Sequence, residues 1–345
     1  MARKILWASL ALAPFTILLH YLVGPDEMLE FILAAAALIP LAWLIGEATE
    51  HAAHHTGPGI GGFLNATFGN APELIIALFA VADMKFEVVR GSLSGSVVGN
   101  LLLVLGFSLL FGGRGALDRQ SSFVSLGLVA VAVLLFLIPA IPAFDGDPER
   151  RSIAELSIPP AVVLLVIYLA VTFVSLRRHR LLHVADPAGL RGWSLRTSLL
   201  VLLVATVVTA LIAEILVGSI DTFAESANLS EFFIAAVIVA IVGNAAEHGG
   251  AVVVATRGNI KLAAEIALAS SAQVAVFLIP AVALLAWLIE PLALSFRPVE
   301  LIVLGVSVVT TALLLAQGQS SRSRGVVLIA LYVAVAAAFF LAGDR

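Results

Sequence analysis

Long apolar runs restrict what this sequence can fold into. A helix needs about 20 mostly apolar residues to cross the hydrocarbon core of a bilayer. Runs of that length lie near residues 5–23, 28–46, 60–82, 88–111, 122–144, 157–177, 195–218, 230–256, 262–288, 299–317 and 325–342. Only 12% of the 345 residues are charged, against about 25% in soluble domains. The chain is therefore predicted to be an all-α integral membrane protein with about 11 transmembrane helices.

Composition also excludes several classes of function. The chain has no cysteine, which excludes disulfides and thiolate metal sites. No basic patch indicates a nucleic acid, and the mean hydropathy of +1.09 makes the lipid bilayer the expected partner. The first apolar run is longer than the core of a signal peptide, so it is predicted to remain as a first helix. We expect no cofactor.

One pentapeptide occurs twice inside these apolar runs. Gly69-Asn-Ala-Pro-Glu73 returns as Gly243-Asn-Ala-Ala-Glu247, 174 positions later. A carboxylate near the middle of a membrane helix costs several kcal/mol and is usually functional. Pro72 removes one backbone hydrogen bond and either frees a carbonyl toward the site or only bends the helix. The pair of glutamates is predicted to be the centre of an internal repeat.

The distribution of basic residues predicts the orientation. Placing the N-terminus in the cytoplasm and the C-terminus outside assigns 13 of the 19 Lys and Arg residues to cytoplasmic segments, as the positive-inside rule requires. The third and eighth runs are then antiparallel, which gives two inverted five-helix repeats. The predicted division is a first helix at 1–27, a first repeat at 28–176, a cytoplasmic linker at 177–194 and a second repeat at 195–345.

Further polar residues follow the repeat. Ser96 and Ser270 are separated by the same 174 positions, and Asn100 and Gln273 by 173. Small polar residues in membrane helices more often pack helices together than bind ions. The repeat makes these four residues candidates for the transport pathway.

Several ionisable residues lie outside the repeated pentapeptide. Glu50 and Glu214 are predicted near opposite ends of the second and seventh helices, where they are candidate mouths of two entry paths. His248 either relays protons to Glu247 or is a structural histidine. The three histidines near Glu50 either bind zinc, sense pH or lie on a solvated helix end, and the last interpretation is favoured; they are His51, His54 and His55.

The chemistry of the repeated residues favours a hard cation. Asn70 and Glu73 share a helix face, as do Asn244 and Glu247, and oxygen ligands of this kind suit Ca²⁺. Two facing carboxylates are costly when both are ionised, and either a divalent cation or protons cancel the charge. The hypothesis is a secondary antiporter that exchanges Ca²⁺ for H⁺. A Na⁺ or K⁺/proton antiporter is the alternative, and a passive channel is less favoured. An enzyme is not expected, because the His-Glu-x-x-His pattern of intramembrane metalloproteases is absent.

Four segments resemble known signatures. The first two are Leu64-Asn-Ala-Thr-Phe-Gly-Asn-Ala-Pro-Glu-Leu74 and Gly95-Ser-Val-Val-Gly-Asn-Leu-Leu-Leu-Val-Leu-Gly106, and the second two are Gly243-Asn-Ala-Ala-Glu-His248 and Ser270-Ser-Ala-Gln273. They are similar to the two signature regions of the calcium/proton exchanger (CAX) family within the calcium/cation antiporter superfamily. The resemblance covers nearly the whole chain, but the linker is basic where the family often has an acidic segment.

The resemblance implies roles for individual residues. Glu73 and Glu247 would alternate between calcium and protons, and Glu50 and Glu214 would lie on the access paths. The residues implied to line the site are Asn70, Asn244, Asn100 and Gln273. The expected location is a prokaryotic cell membrane, and a homo-oligomer is compatible with the sequence.

Overall fold

The protein consists of helices joined by short connections. The computed structural model describes residues 2–180 and 192–344 and most of their side chains. The α-helices are α1 (Ala2–Ser9), α2 (Leu12–Val23), α3 (Glu27–Phe68), α4 (Ala71–Ala82), α5 (Phe86–Val98), α6 (Leu105–Gly112), α7 (Arg119–Ala140), α8 (Arg151–Arg180), α9 (Leu195–Gly218), α10 (Ile220–Ala227), α11 (Glu231–Phe233), α12 (Ala240–Gly243), α13 (Ala245–Thr256), α14 (Ile260–Gln273), α15 (Ile279–Leu285), α16 (Pro298–Leu315) and α17 (Arg322–Ala342). Within the described ranges there is no β-strand, and the all-α prediction is confirmed.

Short non-α segments continue several of these helices. The π-helical segments in the described part of the chain are Gly99–Val104, Ile234–Val239 and Val274–Leu278, and the 3-10 turns are Ile141–Phe144 and Ala286–Leu288. The segment Gly99–Val104 directly follows α5, and the segment Val274–Leu278 directly follows α14. Their positions in the sequence differ by about 174 residues, the offset of the repeat. π-Helical turns inside helices are frequent at functional sites. The predicted linker at 177–194 lies largely outside the described residues.

The number of membrane crossings differs from the sequence estimate. Nine helical runs in the described ranges are long and apolar enough to cross a membrane, or ten if Ile220–Ala227 and Glu231–Gly243, bent by 108°, form one span. Gly57-Pro-Gly59 lies between the apolar runs at 28–46 and 60–82, which predicts a break there. This prediction is wrong, because α3 continues through these residues. The count of 11 stays a prediction.

Contacts between helix ends define two opposite faces. On the first, which we call the N face, the rings of Trp7 and Trp43 meet edge-on with centroids 5.3 Å apart. On the second, which we call the C face, the Asp344 carboxylate accepts a 2.9 Å hydrogen bond from the backbone N–H of Phe232. These two contacts give the faces the names used below.

The two helices that follow the repeated motif run in opposite directions. α4 ends toward the C face, where Lys85 forms an ion pair with Asp221. α13 ends beside Gly112, where a Cβ on that glycine would lie 3.2 Å from the Ala255 methyl. Gly112 ends the helical run Phe86–Gly112, whose other end follows Lys85 at the C face, so α13 ends away from that face. Opposite directions are what an inverted repeat requires.

Positions of α5 and α14 that are equivalent by the repeat offset touch each other. The Ser271 hydroxyl donates a 3.0 Å hydrogen bond to the Val97 carbonyl, and these positions differ by 174 residues. The two helices that carry the predicted serine and amide residues are thus in direct contact.

A buried ion cluster joins the two halves at the C face. Arg90, only 1% exposed, contacts Glu149 at 2.7 Å and Glu87 at 2.9 Å. Glu87 also lies 3.6 Å from Arg297, whose backbone N–H donates a 2.8 Å hydrogen bond to Glu300. Buried charges are tolerated when they are paired and hydrogen-bonded in this way. The cluster therefore holds the first and second repeats together at a distance from the repeated pentapeptides.

Candidate cation site

Each copy of the repeated pentapeptide interrupts a helix. The break falls at Asn70 in the first copy and at Asn244 in the second, directly before α4 and α13. Glu73 and Glu247 therefore lie in first helical turns, where unpaired backbone N–H groups create a partial positive charge. Pro72 also lies in the first turn, where its missing N–H costs no helical hydrogen bond. It marks a helix start and does not bend a continuous helix.

Glu73 is buried against the second repeat. The residue is 8% exposed, and its Oε2 accepts no hydrogen bond from the described residues. A Cβ built on Gly243 would lie 3.2 Å from Glu73 Cγ and 3.5 Å from Oε1. The missing side chain at Gly243 provides the space that the carboxylate occupies. The Glu73 and Glu247 carboxylates are near enough to interact electrostatically.

Glu247 is held by a hydrogen-bond chain that crosses between the repeats. The Ser270 hydroxyl donates to a carboxylate oxygen of Glu247. Asn100 Nδ2 donates to Ser270 Oγ at 3.2 Å and to Asn244 Oδ1 at 3.4 Å. Asn244 Nδ2 in turn donates to Ser96 Oγ at 2.8 Å. The structure thus brings these five predicted site residues into one buried network.

The remaining amides are paired at longer distance. Asn70 Nδ2 lies 3.5 Å from Gln273 Oε1, across the two repeats. Asn70 is 1% exposed, and Gln273 is partly buried at the start of a π-helical segment. The bond is at the limit of hydrogen-bond distance, so this pair is held less tightly than the Asn244–Ser96 pair.

A cavity of 280 Å³ extends from Glu247 along the N-face end of α3. Its lining residues are Ala42, Trp43, Gly46, Glu47, Glu50, Gly69, Gly243 and Glu247. Glu247 therefore borders the cavity, whereas Glu73 is not among its lining residues. The site is connected toward one face of the protein through the carboxylate of the second repeat.

The two predicted access-path acids have different surroundings. Glu50 is exposed and lines the cavity. Glu214 is also exposed, but it lies on the outward stripe of α9 with Val207 and Leu200, each 53% exposed. Its predicted role at the opposite mouth stays a prediction.

The histidines contribute differently from one another. His248 follows Glu247, is partly buried, and its Nε2 has no hydrogen-bond partner among the described residues. His51 Nε2 lies 3.6 Å from Glu47, one helical turn away. In the described part of the chain, no group of three His, Cys, Asp or Glu side chains is arranged to hold a metal. The described side chains therefore offer no set of three ligands for zinc at the histidines 51, 54 and 55.

Most of the sequence matches a known family. A model of the sodium/calcium exchanger protein family matches residues 28–177 and 197–341. The chain belongs to the sodium/calcium exchanger family. Its two matched segments contain both copies of the repeated motif.

Similar proteins with established names indicate which branch of the family the chain resembles. A "Ca(2+)/H(+) antiporter" of Aphanothece halophytica is 33% identical over 98% of this chain and 96% of that protein. A protein of the same name from Synechocystis sp. is 36% identical over 98% of this chain and 97% of that protein. The resemblance to calcium/proton exchangers is thereby confirmed, and the family is one of transporters rather than enzymes.

Solved structures of family members have the same fold. The structure of native YfkE has a TM-score of 0.83 and 33% sequence identity, and the match covers 99% of this chain and 100% of that one. A crystal structure described as the H⁺/Ca²⁺ exchanger CAX has a TM-score of 0.74 and covers 99% of this chain and 92% of that one. At 15% identity, the second comparison supports the fold alone.

Sequence reasoning missed part of what surrounds the site in this family member. In the sequence Glu47 stands out only as a neighbour of the histidines, yet it lines the cavity with Trp43 and Gly46. The spacing of 43, 46, 47 and 50 places these residues on one face of a helix. The sequence shows this spacing, but it does not show which face of the helix lines the cavity.

Proposed function

We propose that this protein exchanges Ca²⁺ for H⁺ across a membrane by alternating access, with Glu73 and Glu247 as the carboxylates that hold either load. The observation that carries the proposal is the pair of first-turn glutamates, one from each repeat, close enough to interact electrostatically in a largely buried site. The printed names of the relatives, which describe Ca²⁺/H⁺ antiporters, support the same substrates.

The ligand chemistry supports a divalent cation. Two carboxylates and the amide oxygens of Asn70 and Asn244 offer the hard oxygen donors that Ca²⁺ prefers. The bonds from Asn100 and to Ser96 orient the Asn244 amide before a cation arrives. Either one Ca²⁺ or protons cancel the charge of the pair, and the neutral site is the state in which reorientation costs least.

The one-sided cavity supports alternating access. Glu247 borders the cavity toward the N face, while Glu73, packed against Gly243, is not among its lining residues. In an inverted repeat, exchange of the two conformations would give the other carboxylate the path to the opposite face. Glu50 is then the mouth of the N-face path, and Glu214 belongs to the other state.

The orientation follows from the basic residues. The cytoplasmic assignment of the N face gives it 13 of the 19 Lys and Arg residues. We therefore place the N-terminus in the cytoplasm and the C-terminus outside, in a prokaryotic cell membrane. The family model matches residues 28–177 and 197–341 separately, which supports the proposed division into two repeats.

Calcium flux into proteoliposomes under an imposed pH gradient tests the proposal. We expect calcium to accumulate against its own gradient while the pH gradient lasts, and the accumulation to stop when a protonophore collapses it. Protein-free liposomes are the control. Flux that only follows the calcium gradient would indicate a channel, and accumulation that follows a Na⁺ or K⁺ gradient would indicate a monovalent exchanger. Either result contradicts the proton half of the proposal.

Gly243→Ala is expected to weaken calcium transport without unfolding the protein. The new Cβ at 3.2 Å from Glu73 Cγ forces the carboxylate to move by a few tenths of an ångström. Because small misplacements of a binding group are costly, we expect about a tenfold rise in KM for calcium. Gly250→Ala is the matched control, since a Cβ there meets no atom within 4 Å. Equal KM values for the two variants would contradict the role assigned to Gly243.

A further inference from the structure

We propose that a second cavity, between the end of α6 and the start of α17, binds the phosphate group of an anionic phospholipid through Arg114 and Arg322. The cavity has a volume of 610 Å³, and we call it the arginine cavity. Its lining residues are Gly112, Gly113, Arg114, Ser321, Arg322 and Ser323. It is separate from the cavity that Glu247 borders, because the two have no lining residue in common.

Hydrogen bonds fix the two segments of the arginine cavity to each other. The Ser320 hydroxyl donates a 2.8 Å hydrogen bond to the Gly113 carbonyl, and the Ser320 backbone N–H donates one of 2.8 Å to the Gly115 carbonyl. Ser320 is only 3% exposed, so these bonds are shielded from solvent. The backbone that carries Arg114 and Arg322 is therefore in place before a ligand binds, which lowers the entropy lost on binding.

The positive charges of the arginine cavity are not neutralised within the described part of the chain. Arg114 and Arg322 are exposed, and no described residue forms an ion pair or a hydrogen bond with either guanidinium group. A Cβ built on Gly113 would lie 3.8 Å from Arg322 Nε, so this side chain lies beside the residue that precedes Arg114. Asp118, the acid nearest to Arg114 in the sequence, lies instead 3.1 Å from Lys261 Nζ. Guanidinium groups of this kind bind phosphate oxygens with charge-assisted hydrogen bonds.

Two hydroxyl groups add a neutral donor to the arginine cavity. Ser321 Oγ and Ser323 Oγ are 3.0 Å apart, and Ser321 Oγ also accepts a hydrogen bond from the backbone N–H of Arg324. When one hydroxyl donates to the other, the hydrogen of the second remains available for a further acceptor. A phosphate oxygen in the cavity would be such an acceptor.

The surroundings of the arginine cavity favour a phospholipid over a free anion. Gly112 ends one helical run that is long enough to cross a membrane, and Arg322 begins another, so the cavity lies at the level of lipid headgroups. Phe111, next to Gly112, is 54% exposed, and Val326, on the same helix face as Arg322, is 53% exposed. These apolar side chains provide a surface for acyl chains beside the charged cavity. Basic pockets between membrane helices commonly bind anionic headgroups.

The two arginines also have a more general explanation. Basic residues at the ends of membrane helices follow from the orientation of a protein in the bilayer and need no bound ligand. Such residues would attract anionic lipids diffusely, whether or not they line a cavity. Arg257 distinguishes the two explanations: it is exposed at the end of α13, which lies beside Gly112, but it does not line the arginine cavity.

The experiment measures lipid binding to the purified full-length protein in a neutral detergent. A ligand that binds the folded state raises the melting temperature, and the ligand concentration needed for a fixed rise is proportional to its dissociation constant. That concentration is determined for phosphatidylglycerol, for phosphatidylcholine with the same acyl chains and for inorganic phosphate. The proteins are wild type, Arg114→Gln, Arg322→Gln and the matched control Arg257→Gln. Calcium transport is not measured, so the result does not depend on the proposed exchange of Ca²⁺ for H⁺.

Phosphatidylglycerol is expected to raise the melting temperature of the wild type at lower concentration than either of the other two ligands. Arg114→Gln and Arg322→Gln should each need about five times more phosphatidylglycerol for the same rise, which is the effect of one basic contact near a membrane surface. Arg257→Gln should match the wild type. Without lipid, all variants should melt with the wild type because the replaced side chains are exposed, and this comparison separates lost binding from misfolding.

Three results would overturn the proposal. Equal phosphatidylglycerol requirements in the three variants would mean that the attraction is diffuse. An equal effect of phosphatidylcholine would mean that the negative charge of the headgroup is not recognised. An equal effect of inorganic phosphate would mean that the cavity binds a free anion and does not recognise a lipid.

Discussion

Glu73→Gln and Glu247→Gln are each expected to abolish calcium movement driven by a pH gradient, while the protein remains folded. Each variant removes one of the two charges that a divalent cation must find at the site. A buried charge that loses one oppositely charged partner costs about 3–5 kcal/mol, and about 1.4 kcal/mol corresponds to a tenfold change in rate. Applied to the contact between one carboxylate and the cation, this gives an expected loss in initial rate of about 10²-fold to more than 10³-fold, measured in proteoliposomes with an imposed pH gradient.

The matched control is Glu265→Gln. Glu265 lies on α14, as does Ser270, but its nearest ionic partner is Lys261, at 4.0 Å on the surface. This variant should transport calcium at the wild-type rate. Thermal melting of all three variants checks that the loss is not caused by unfolding. Gradient-driven transport that survives in either site variant would contradict the pairing of the two carboxylates.

The residues of the site could be predicted from the sequence because a whole pentapeptide is repeated and because its glutamate costs free energy inside an apolar run. A glutamate inside an apolar run is rare, and the same pentapeptide at an offset of 174 indicates a matched pair. The offset also selected Ser96 and Ser270. The structure brings both serines into the buried network, through Asn244 and Asn100.

The conformation of the backbone at the site was not accessible in the same way. Counting apolar residues predicted a continuous helix at 60–82, whereas the helix breaks at Asn70 and Glu73 lies in a new first turn. Apolar composition reports where a segment prefers lipid, and it carries no information on where backbone hydrogen bonds are interrupted. Conversely, glycine and proline at 57–59 predicted a break that α3 does not have.

The cavity was the least predictable feature. Glu47 and Glu50 are three positions apart on α3, and the sequence places both near the N-face end. Whether they border the path depends on how α3 rotates against its neighbours, which is set by packing between elements distant in sequence. The repeat gave no help, because the position equivalent to Glu47 at the offset of 174 is Asp221, which pairs with Lys85 at the C face.

Gly95→Ala is expected to destabilise the fold strongly, although it adds only one methyl group. Gly95 lies where α5 crosses the π-helical segment Ile234–Val239 of the second repeat. A Cβ there would lie 2.7 Å from the carbonyl carbon of Ala236, and closer still to its oxygen. These are backbone atoms, so the overlap is relieved only when one whole helix moves. Small residues at such crossings allow membrane helices to approach each other closely.

Overpacking usually costs about 1–3 kcal/mol, and a collision with backbone lies at or above the upper end of that range. We expect Gly95→Ala to lower the melting temperature by roughly 5 °C, or to prevent recovery of folded protein in detergent. Because α5 continues directly to Asn100, any surviving protein should also transport calcium more slowly.

Gly127→Ala is the control for adding a methyl group to a membrane helix. Gly127 lies within α7, and a Cβ at this position meets no atom within 4 Å. Alanine is favoured over glycine inside a helix by about 1 kcal/mol, so this variant should be as stable as the wild type or slightly more stable. A melting temperature for Gly95→Ala equal to that of Gly127→Ala would mean that α5 and the second repeat are not in close backbone contact at Gly95. Ser96 follows Gly95 directly and accepts the hydrogen bond from Asn244, so the same result would also contradict that part of the site.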